Sequence, residues 1–486
     1  MIRNAVPAHV SSRPVNLPVS PKPSFDFRSA AIAFAACYVL LVLLILMGVS
    51  HARTSFDQDQ FHLKVIERFS AQWPRFDLRD YLSATTPGYH VVLATLHHFV
   101  TASVLALRLL AAMPTAGIIA VLVGLLAARR GVAEGFALAL PLLCCSYILQ
   151  SGLYLLPDNT AWLLVLCIIG LSLSPVQSAR RWAVSGGLLV LLVLTRQIHI
   201  WAAAAVWMGA FASIPRQNWY NWRSVWLGGL QREVDVSGTG VLADWPTALK
   251  RAISAAMCTA PAFAMLAGFV LLWGGLTPPL FRSTPVNAGE NSATNVSGLS
   301  PATPAFMLAL LSIYGVAMLP LIWPCIRIFA KERWFIIGLC LAAGVGFALA
   351  ALPETTQMVR PRVGGLWTIV KAMQDRGLTL FGRTSPLILV MSTVGGAAVF
   401  TLLALCGRQA RWVLLTVLVA FVAAGTAQAL SWQRYFEPLL LMWVALAAAS
   451  RAGTSEPLAG GRLLGPAVLA LGLAGLSSLA FWGVLG

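Results

Sequence analysis

The chain has 486 residues, of which 58% are hydrophobic and only 10% are charged, and this balance excludes an ordinary soluble domain. The formal net charge is +17, but the basic residues stand mainly between apolar segments, where they indicate membrane topology rather than a nucleic-acid partner. The eight cysteines lie inside apolar stretches without a Cys-x-x-Cys pair, which argues against a disulfide framework and against a cysteine metal site.

The chain begins with a polar, basic tail, residues 1–30, which precedes a first apolar run at residues 31–49. A run of roughly 20 apolar residues is long enough to cross a bilayer. Because no small-residue cleavage site follows this run, we predict a retained spanning helix rather than a signal peptide. The positive-inside rule then predicts that the tail is cytoplasmic and that residues 31–486 form a single transmembrane domain.

Residues 51–101 are predicted to form an external loop with interfacial helices, and this loop is the strongest candidate for a catalytic region. It contains five of the 17 acidic residues of the chain: Asp57, Asp59, Glu67, Asp77 and Asp80. Its last part, residues 89–100, is apolar but too short to span the membrane. If this part did span, the later basic residues would collect outside, against the positive-inside rule, so we predict an interfacial helix there.

The rest of the chain is predicted to cross the membrane about twelve more times, which gives an all-α bundle of about thirteen spanning helices. The loop at residues 215–251 is predicted on the cytoplasmic side, and the loops at residues 276–304 and 354–385 outside. The last of these is unusually basic for an external loop. Either the local topology differs, or the loop holds a phosphate group at the membrane surface, with Arg360 and Arg362 as candidate ligands.

Three residues of the first external loop are candidates for catalysis: Asp57, Asp59 and His62. If this segment is helical, Asp59 and His62 are three positions apart and share a face. A carboxylate beside an imidazole can remove the proton from a sugar hydroxyl, although the same residues are also compatible with a solvated loop. The acidic triplet at residues 57–59 leaves open a divalent cation as a cofactor, and we assign no residue as a metal ligand.

Polar residues at the ends of later apolar runs are candidates for binding the phosphate of a substrate. Asp158 lies between two long apolar runs, where it is either a turn residue or a functional acid at the membrane surface. Arg196 and Arg434 each follow an apolar run, where a guanidinium either extends to the surface or binds a lipid phosphate through two hydrogen bonds. Gln197 and Tyr435 follow these arginines directly and join the candidate donor-phosphate site.

These motifs, in this order, resemble the GT-C superfamily of polyprenyl-phosphate-sugar-dependent glycosyltransferases. More narrowly, residues 59–62 (Asp-Gln-Phe-His) are similar to the Asp-Glu-Ile-Phe-His motif of the dolichyl-phosphate-glucose α-1,2-glucosyltransferases of N-glycan precursor assembly. Residues 85–89 (Thr-Thr-Pro-Gly-Tyr) resemble the Thr-Pro-Gly-Leu-Tyr element of that family. Residues 196–197 resemble its Arg-Gln motif, and residues 434–435 resemble its late Arg-Tyr motif.

The resemblance implies a GT-C bundle with an external active site that moves one sugar, with glucose or another hexose favoured. The donor would be a polyprenyl-phosphate sugar in the membrane lipid, and the acceptor a lipid-linked or cell-envelope glycan. It also implies that Asp59 is the general base and that arginines stabilise the leaving phosphate, with inversion at the anomeric carbon if one displacement occurs.

The composition and the placement of charges bear on location and on the competing functions. Arg exceeds Lys, and Ala and Leu are abundant, which favours a bacterial inner membrane with a periplasmic active site over the endoplasmic reticulum membrane. A secondary transporter or lipid flippase remains an alternative, although no internal repeat is visible. A non-catalytic membrane scaffold is a third alternative, but it gives no reason for the acidic first loop.

Overall fold

The computed structural model describes residues 25–48, 52–213, 245–283, 298–356, 364–428, 431–451 and 460–481. The regular structure of these residues is helical, which confirms the predicted all-α class, and the only extended pairings among them are two isolated β-bridges. In chain order, the α-helices of the first half are α1 (Phe27–Leu46), α2 (Ala52–Asp57), α3 (Leu63–Ala71), α4 (Gly88–Phe99), α5 (Val104–Ala111), α6 (Met113–Arg130), α7 (Val132–Leu143), α8 (Ser146–Leu153), α9 (Asp158–Ser172), α10 (Ala179–Thr195) and α11 (Ala203–Ala212). Those of the second half are α12 (Trp245–Trp273), α13 (Pro279–Arg282), α14 (Thr303–Ala317), α15 (Leu319–Phe329), α16 (Arg333–Ala351), α17 (Gly365–Gln374), α18 (Pro386–Leu405), α19 (Arg408–Thr426), α20 (Glu437–Ala449) and α21 (Leu464–Phe481).

The predicted count of about thirteen spanning helices is not confirmed. Within the described ranges, seven helices are long and apolar enough to cross a membrane, or up to nine if each of two bent helix pairs forms one span. Three further apolar helices are shorter: α9, the helical stretch Gln197–Ala212, and α20. The sequence shows how many apolar runs there are, but bends and short helices decide how many of them are continuous. The long apolar helices indicate a multi-pass integral membrane protein.

Two of the apolar segments are sharply bent. Helices α7 and α8 meet at 74°, and helices α14 and α15 meet at 89°. Pro141 lies inside α7 and Pro320 in the first turn of α15, and a proline lacks the N–H group that would continue the helical hydrogen bonds. The first bend matters for the site, because it sets α8 at a steep angle to the helix before it and gives α8 a place at one end of the bundle.

The segment predicted as the first external loop has a hydrophobic cluster of its own, separate from the main core of the bundle. Helices α3 and α4 contribute Phe69 and Leu93 to this cluster, and Tyr81 from the segment between them is fully buried. Trp273, at the end of α12, joins the cluster, and its indole N–H donates to the carbonyl of Leu78 at 2.9 Å. Helix α4 confirms the short helix predicted at residues 89–100. A packed loop of this kind can hold side chains in fixed positions over the bundle.

Helix α9 runs between two ends of the bundle. Asp158, its first residue, forms an ion pair with Arg196, whereas the carbonyl of Ser172, its last residue, accepts a hydrogen bond from Gln409 at 3.2 Å. At 1.5 Å per residue the two ends lie roughly 20 Å apart. We call the end with Asp158 and Arg196 the site end, and the other the opposite end.

Helix α20 connects the same two ends. It begins beside Arg434 at the site end, and the carbonyl of Ala449 at its other end accepts a hydrogen bond from Arg130 at 2.8 Å. Arg451 forms a buried ion pair with Glu134 at this opposite end. Asp158, Arg196 and Arg434, which the sequence predicted outside, thus lie at the site end, and Arg130 and Arg451, which it predicted in the cytoplasm, lie at the opposite end.

Several loop boundaries differ from the prediction. Helix α12 begins at Trp245, so residues 245–251, which were predicted to belong to the cytoplasmic loop, are helical. Helix α17 lies within the predicted external loop at residues 354–385, and Arg360 and Arg362 lie outside the described residues.

Candidate active site

The segment that carries the candidate catalytic residues contains a π-helical turn at Gln58–His62. The turn is closed by the N–H of Leu63, which donates to the carbonyl of Gln58 five residues earlier. An α-helix aligns positions three or four apart, whereas the wider π turn aligns positions four or five apart. Gln58 and His62 are accordingly both buried, while Asp59 is exposed. The shared face predicted for Asp59 and His62 is not formed, because that prediction assumed α-helical spacing.

Asp57, the residue before the π turn, pairs with Arg434. Nη1 of Arg434 donates to Oδ2 of Asp57 at 2.5 Å, and the two side chains are 28% and 27% exposed. Arg434 lies in the short 3₁₀ turn Gln433–Tyr435 that precedes α20, and its Nη2 donates to Oη of Tyr435 at 3.1 Å. Its Nε is buried and has no hydrogen-bond partner among the described residues. Arg434 is thus held by a carboxylate and a phenol but keeps one donor unused.

A second ion pair lies beside the first. Arg196, the residue that ends α10, pairs with Asp158 at the start of α9. The guanidinium of Arg196 lies 5.2 Å from the ring centre of Tyr435, and that of Arg434 lies 5.0 Å from the same ring. Cation–π attraction to a shared ring, together with one carboxylate each, holds two like charges close to one another.

A small, partly open cleft with a volume of about 20 Å³ lies beside the two ion pairs. It is lined by Tyr147, Gln150, Ser151, Leu156, Asp158, Trp162, Arg434 and Pro438. One guanidinium and one carboxylate thus face aromatic and aliphatic side chains. Gln150 and Ser151 add neutral polar groups, so half of the eight lining residues are polar or charged.

Gln58 and Gln197 join the first external loop to the bundle. Oε1 of Gln58 accepts from the N–H of Leu155 at 3.0 Å, and its Nε2 donates to Oδ1 of Asp59 at 2.9 Å. Oε1 of Gln197 accepts from the N–H of Thr86 at 3.1 Å. Gln58 therefore fixes the π turn next to the start of α9, and this contact places Asp57 against Arg434.

Gln197 was predicted to bind the substrate, but among the described residues its side-chain amide forms hydrogen bonds to backbone groups. Its Nε2 donates to the carbonyls of Ala84 and Leu276 at 2.8 and 2.9 Å, in addition to the bond from Thr86. The hydroxyl of Thr86 in turn donates to the carbonyl of Val193 at 2.5 Å. Residues 85–89 and Arg196 are therefore fastened together, and Gln197 positions the neighbouring arginine.

His62 lies behind the ion pairs and is hydrogen-bonded to a second histidine. Its Nδ1 is 2.9 Å from Nε2 of His90, and both rings are buried. One ring nitrogen must donate and the other accept, so at least one of the two rings is neutral. Burial, followed by the positive charges of Arg196 and Arg434, lowers the pKa of His62 to about 3. His62 is thus neutral at physiological pH and buttresses the π turn from inside the loop.

Helix α17, in the loop predicted at residues 354–385, is hydrogen-bonded to the segment that carries Arg434. The N–H of Leu366 donates to Oε1 of Gln433 at 3.1 Å, and the indole N–H of Trp367 donates to the carbonyl of Ser431 at 2.9 Å. Gly364 has a φ of 128°, and a Cβ atom there would lie 2.4 Å from Cβ of Gln433. The close approach therefore requires glycine at this position.

Sequence reasoning missed several residues that complete the candidate site: Tyr147, Gln150, Trp162, Trp432, His90 and Gln58. Most of them lie in apolar runs or carry no charge, so nothing in their pattern distinguishes them from core residues. The sequence drew attention only to His90, which is one of three histidines on a short helix. Amphipathic packing was the simpler interpretation of these histidines.

Within the described residues, no group of three or more His, Cys, Asp or Glu side chains is arranged to hold a metal ion. The divalent cation left open by the sequence stays a prediction. Comparison of the chain with family models, with curated proteins and with solved structures gave no match.

Proposed function

We propose that this protein is a membrane glycosyltransferase that moves one sugar from a polyprenyl-phosphate donor to a glycan acceptor at the site end. The observation that carries the proposal is the meeting of two Asp–Arg pairs, from four distant parts of the chain, beside one cleft. A phosphate diester needs cations, and a hydroxyl nucleophile needs a base. Both kinds of group are present there, and the resemblance to GT-C enzymes calls for the same set.

The reaction that these groups support is a single displacement at the anomeric carbon. The acceptor oxygen forms a bond to that carbon, the bond from the carbon to the phosphate oxygen breaks, and the phosphate leaves with the electron pair. A carboxylate takes the proton of the acceptor hydroxyl. Arg434 and Arg196 stabilise the charge that develops on the leaving phosphate, as guanidiniums bind phosphate oxygens through paired hydrogen bonds.

Two aspartates are candidates for the base. The resemblance assigns this role to Asp59, whereas the contacts of the loop favour Asp57, since it lies against Arg434 while Asp59 is exposed. In a helix with a π turn, Asp57 and His62 are five positions apart and lie on one side. Asp57 thus corresponds better to an acid placed one helical turn before the histidine. His62 acts as a positioning residue for this turn.

The proposal is tested by a transfer assay in membranes that contain the protein, with radiolabelled polyprenyl-phosphate glucose, mannose and arabinose as donors. We expect label from one donor to appear in a lipid or glycan product, and the Arg434→Ala variant to lose this transfer while it still inserts. Absence of transfer from every donor, with insertion verified, would overturn the proposal. An anomeric assignment that shows retention would contradict the single displacement.

A secondary transporter or lipid flippase is the second candidate, and the two bent helix pairs favour it. Bends of 74° and 89° within apolar segments resemble the broken helices that transporters use at their binding sites. The ion pairs that link the helices of the bundle, however, lie at its two ends rather than in the middle in the part of the chain that the structure describes. Uptake or flipping of a lipid-linked sugar by vesicles that contain the protein, without transfer of label, would support this candidate.

A further inference from the structure

In the two ion pairs each arginine already has a carboxylate partner, so neither Arg434 nor Arg196 is a free cation. Arg434 and Arg196 carry two positive charges, and Asp57 and Asp158 carry two negative charges, so the four side chains sum to zero. The donor of the proposed function is a phosphate diester with one negative charge. Two neutral ion pairs attract this anion only weakly, unless one of the pairs separates and its arginine binds the phosphate instead.

Arg434 is the arginine best suited to such an exchange. Its side chain is 28% exposed, against 11% for that of Arg196, and Arg434 lines the cleft directly. It also keeps a buried Nε with no partner among the residues that the structure describes. Cation–π contacts with Trp432 at 4.4 Å and Tyr435 at 5.0 Å hold the guanidinium in place if the carboxylate leaves.

We infer that Asp57 and the substrate phosphate compete for Arg434, so that donor binding itself releases the catalytic base. This inference rests on the proposed function. In the free protein Nη1 of Arg434 occupies Oδ2 of Asp57. Donor binding replaces the carboxylate of Asp57 with the phosphate at Arg434, and the freed carboxylate can then accept the proton of the acceptor hydroxyl.

The same exchange accounts for product release. After transfer, Asp57 holds the proton of the acceptor hydroxyl and is neutral, while the lipid phosphate has gained one negative charge and is bound to Arg434. When Asp57 loses its proton to solvent, its carboxylate again competes for Arg434 and displaces the lipid phosphate. The exchange therefore requires no reactant besides the donor, the acceptor and water.

The test is the affinity of the purified protein for a short-chain polyprenyl phosphate without sugar, measured for wild type and for Asp57→Asn. If Asp57 competes with phosphate, the variant binds tighter by roughly ten- to a hundred-fold, the range that one charge-assisted hydrogen bond contributes. The same variant loses sugar transfer. The matched control is Asp77→Asn, because Asp77 pairs with Arg68 at 3.2 Å in the same loop but away from the cleft, and its affinity stays unchanged.

Folding of each variant is checked by gel filtration in detergent, and Asp57→Ser replaces Asp57→Asn if the latter does not fold. Equal or weaker binding by the folded variant, together with transfer by the wild type, would overturn the exchange and leave the proposed function intact. If neither wild type nor variant binds a polyprenyl phosphate and the wild type transfers no sugar, the proposed function itself fails.

Discussion

The two ends of the bundle both contain arginine–carboxylate pairs, but the pairs differ in their surroundings. At the site end the side chains of Arg434 and Asp57 are 28% and 27% exposed and lie beside a cleft. At the opposite end those of Arg451 and Glu134 are 6% and 3% exposed. Arg451 also donates to the carbonyl of Ala448 at 2.9 Å, which satisfies the buried guanidinium further.

This difference indicates what each pair can do. A carboxylate that reaches solvent can exchange its partner with a moderate change in free energy. A buried charge that loses its partner, by contrast, destabilises the fold by its full desolvation free energy. The pair of the opposite end therefore holds the helix ends together, and the pairs of the site end can take part in binding. Arg130 supports this opposite end through the carbonyls of Ala449 and Arg451.

The largest effect is expected for catalysis at the site end. Asp57→Asn should lower sugar transfer by about 10²- to 10⁴-fold, because an amide cannot accept the hydroxyl proton. Initial rates in membranes with equal amounts of inserted protein measure this loss. Asp59→Asn is the matched control, since it makes the same change two residues away at an exposed position, and it should keep most of the activity. The reverse ranking would make Asp59 the base.

The buried pair of the opposite end should be the most sensitive to loss of one partner. Glu134→Ala leaves the charge of Arg451 buried and unpaired, so we expect a loss of about 3–5 kcal/mol in the free energy of unfolding. Denaturant unfolding in detergent measures it. The double variant Glu134→Leu with Arg451→Met removes both charges and should recover most of the stability. A loss for the single variant as small as that at an exposed pair would contradict a structural role.

The site end should lose stability in mild acid. The pKa of His62 is lowered to about 3 by burial and by the charges of Arg196 and Arg434, so below about pH 6.5 the unfolded chain binds a proton that the folded chain does not. The free energy of unfolding therefore decreases by about 2 kcal/mol when the pH is lowered from about 7.5 to about 5. The variant His62→Gln should show a flatter pH dependence of unfolding. A curve parallel to that of wild type would show that His62 is not the group responsible.

The smallest effect is expected for the exposed pair of Arg68 and Asp77, whose side chains are 37% and 44% exposed. Solvent screens such pairs, so Asp77→Asn should change the free energy of unfolding by less than about 1 kcal/mol. The same unfolding measurement in detergent applies. A change as large as that of Glu134→Ala would mean that exposure does not separate structural from exchangeable pairs in this protein.

The sequence predicted most of the charged members of the site but not how they pair. Asp158, Arg196 and Arg434 stood out because a charged side chain at the end of a long apolar run is unusual, and Asp57 because acids are concentrated in the loop after the first run. The basic residues between the runs predicted one side of the membrane for all of them. Both signals are local, so they can be read from a short window of the chain.

Other features of the site depend on backbone geometry that no short pattern revealed. The face shared by Asp59 and His62 was predicted with α-helical spacing, and the π turn at Gln58–His62 changed it. The wall of the cleft formed by α8 depends on the 74° bend after α7. The sequence predicted a packing role for His90, whereas its ring is hydrogen-bonded to that of His62 in the structure.

The sequence by itself determined that this is an all-helical membrane protein and predicted one side of the membrane for Asp57, Asp158, Arg196 and Arg434, because hydrophobic runs and basic flanks act through the solvent that each segment meets. The tertiary structure alone decided which carboxylate meets which arginine. Asp57 and Arg434 are 377 positions apart, and their contact arises from the packing of the first external loop on the bundle. Such packing depends on the shapes of many side chains at once, whereas hydropathy and charge are properties of one residue at a time.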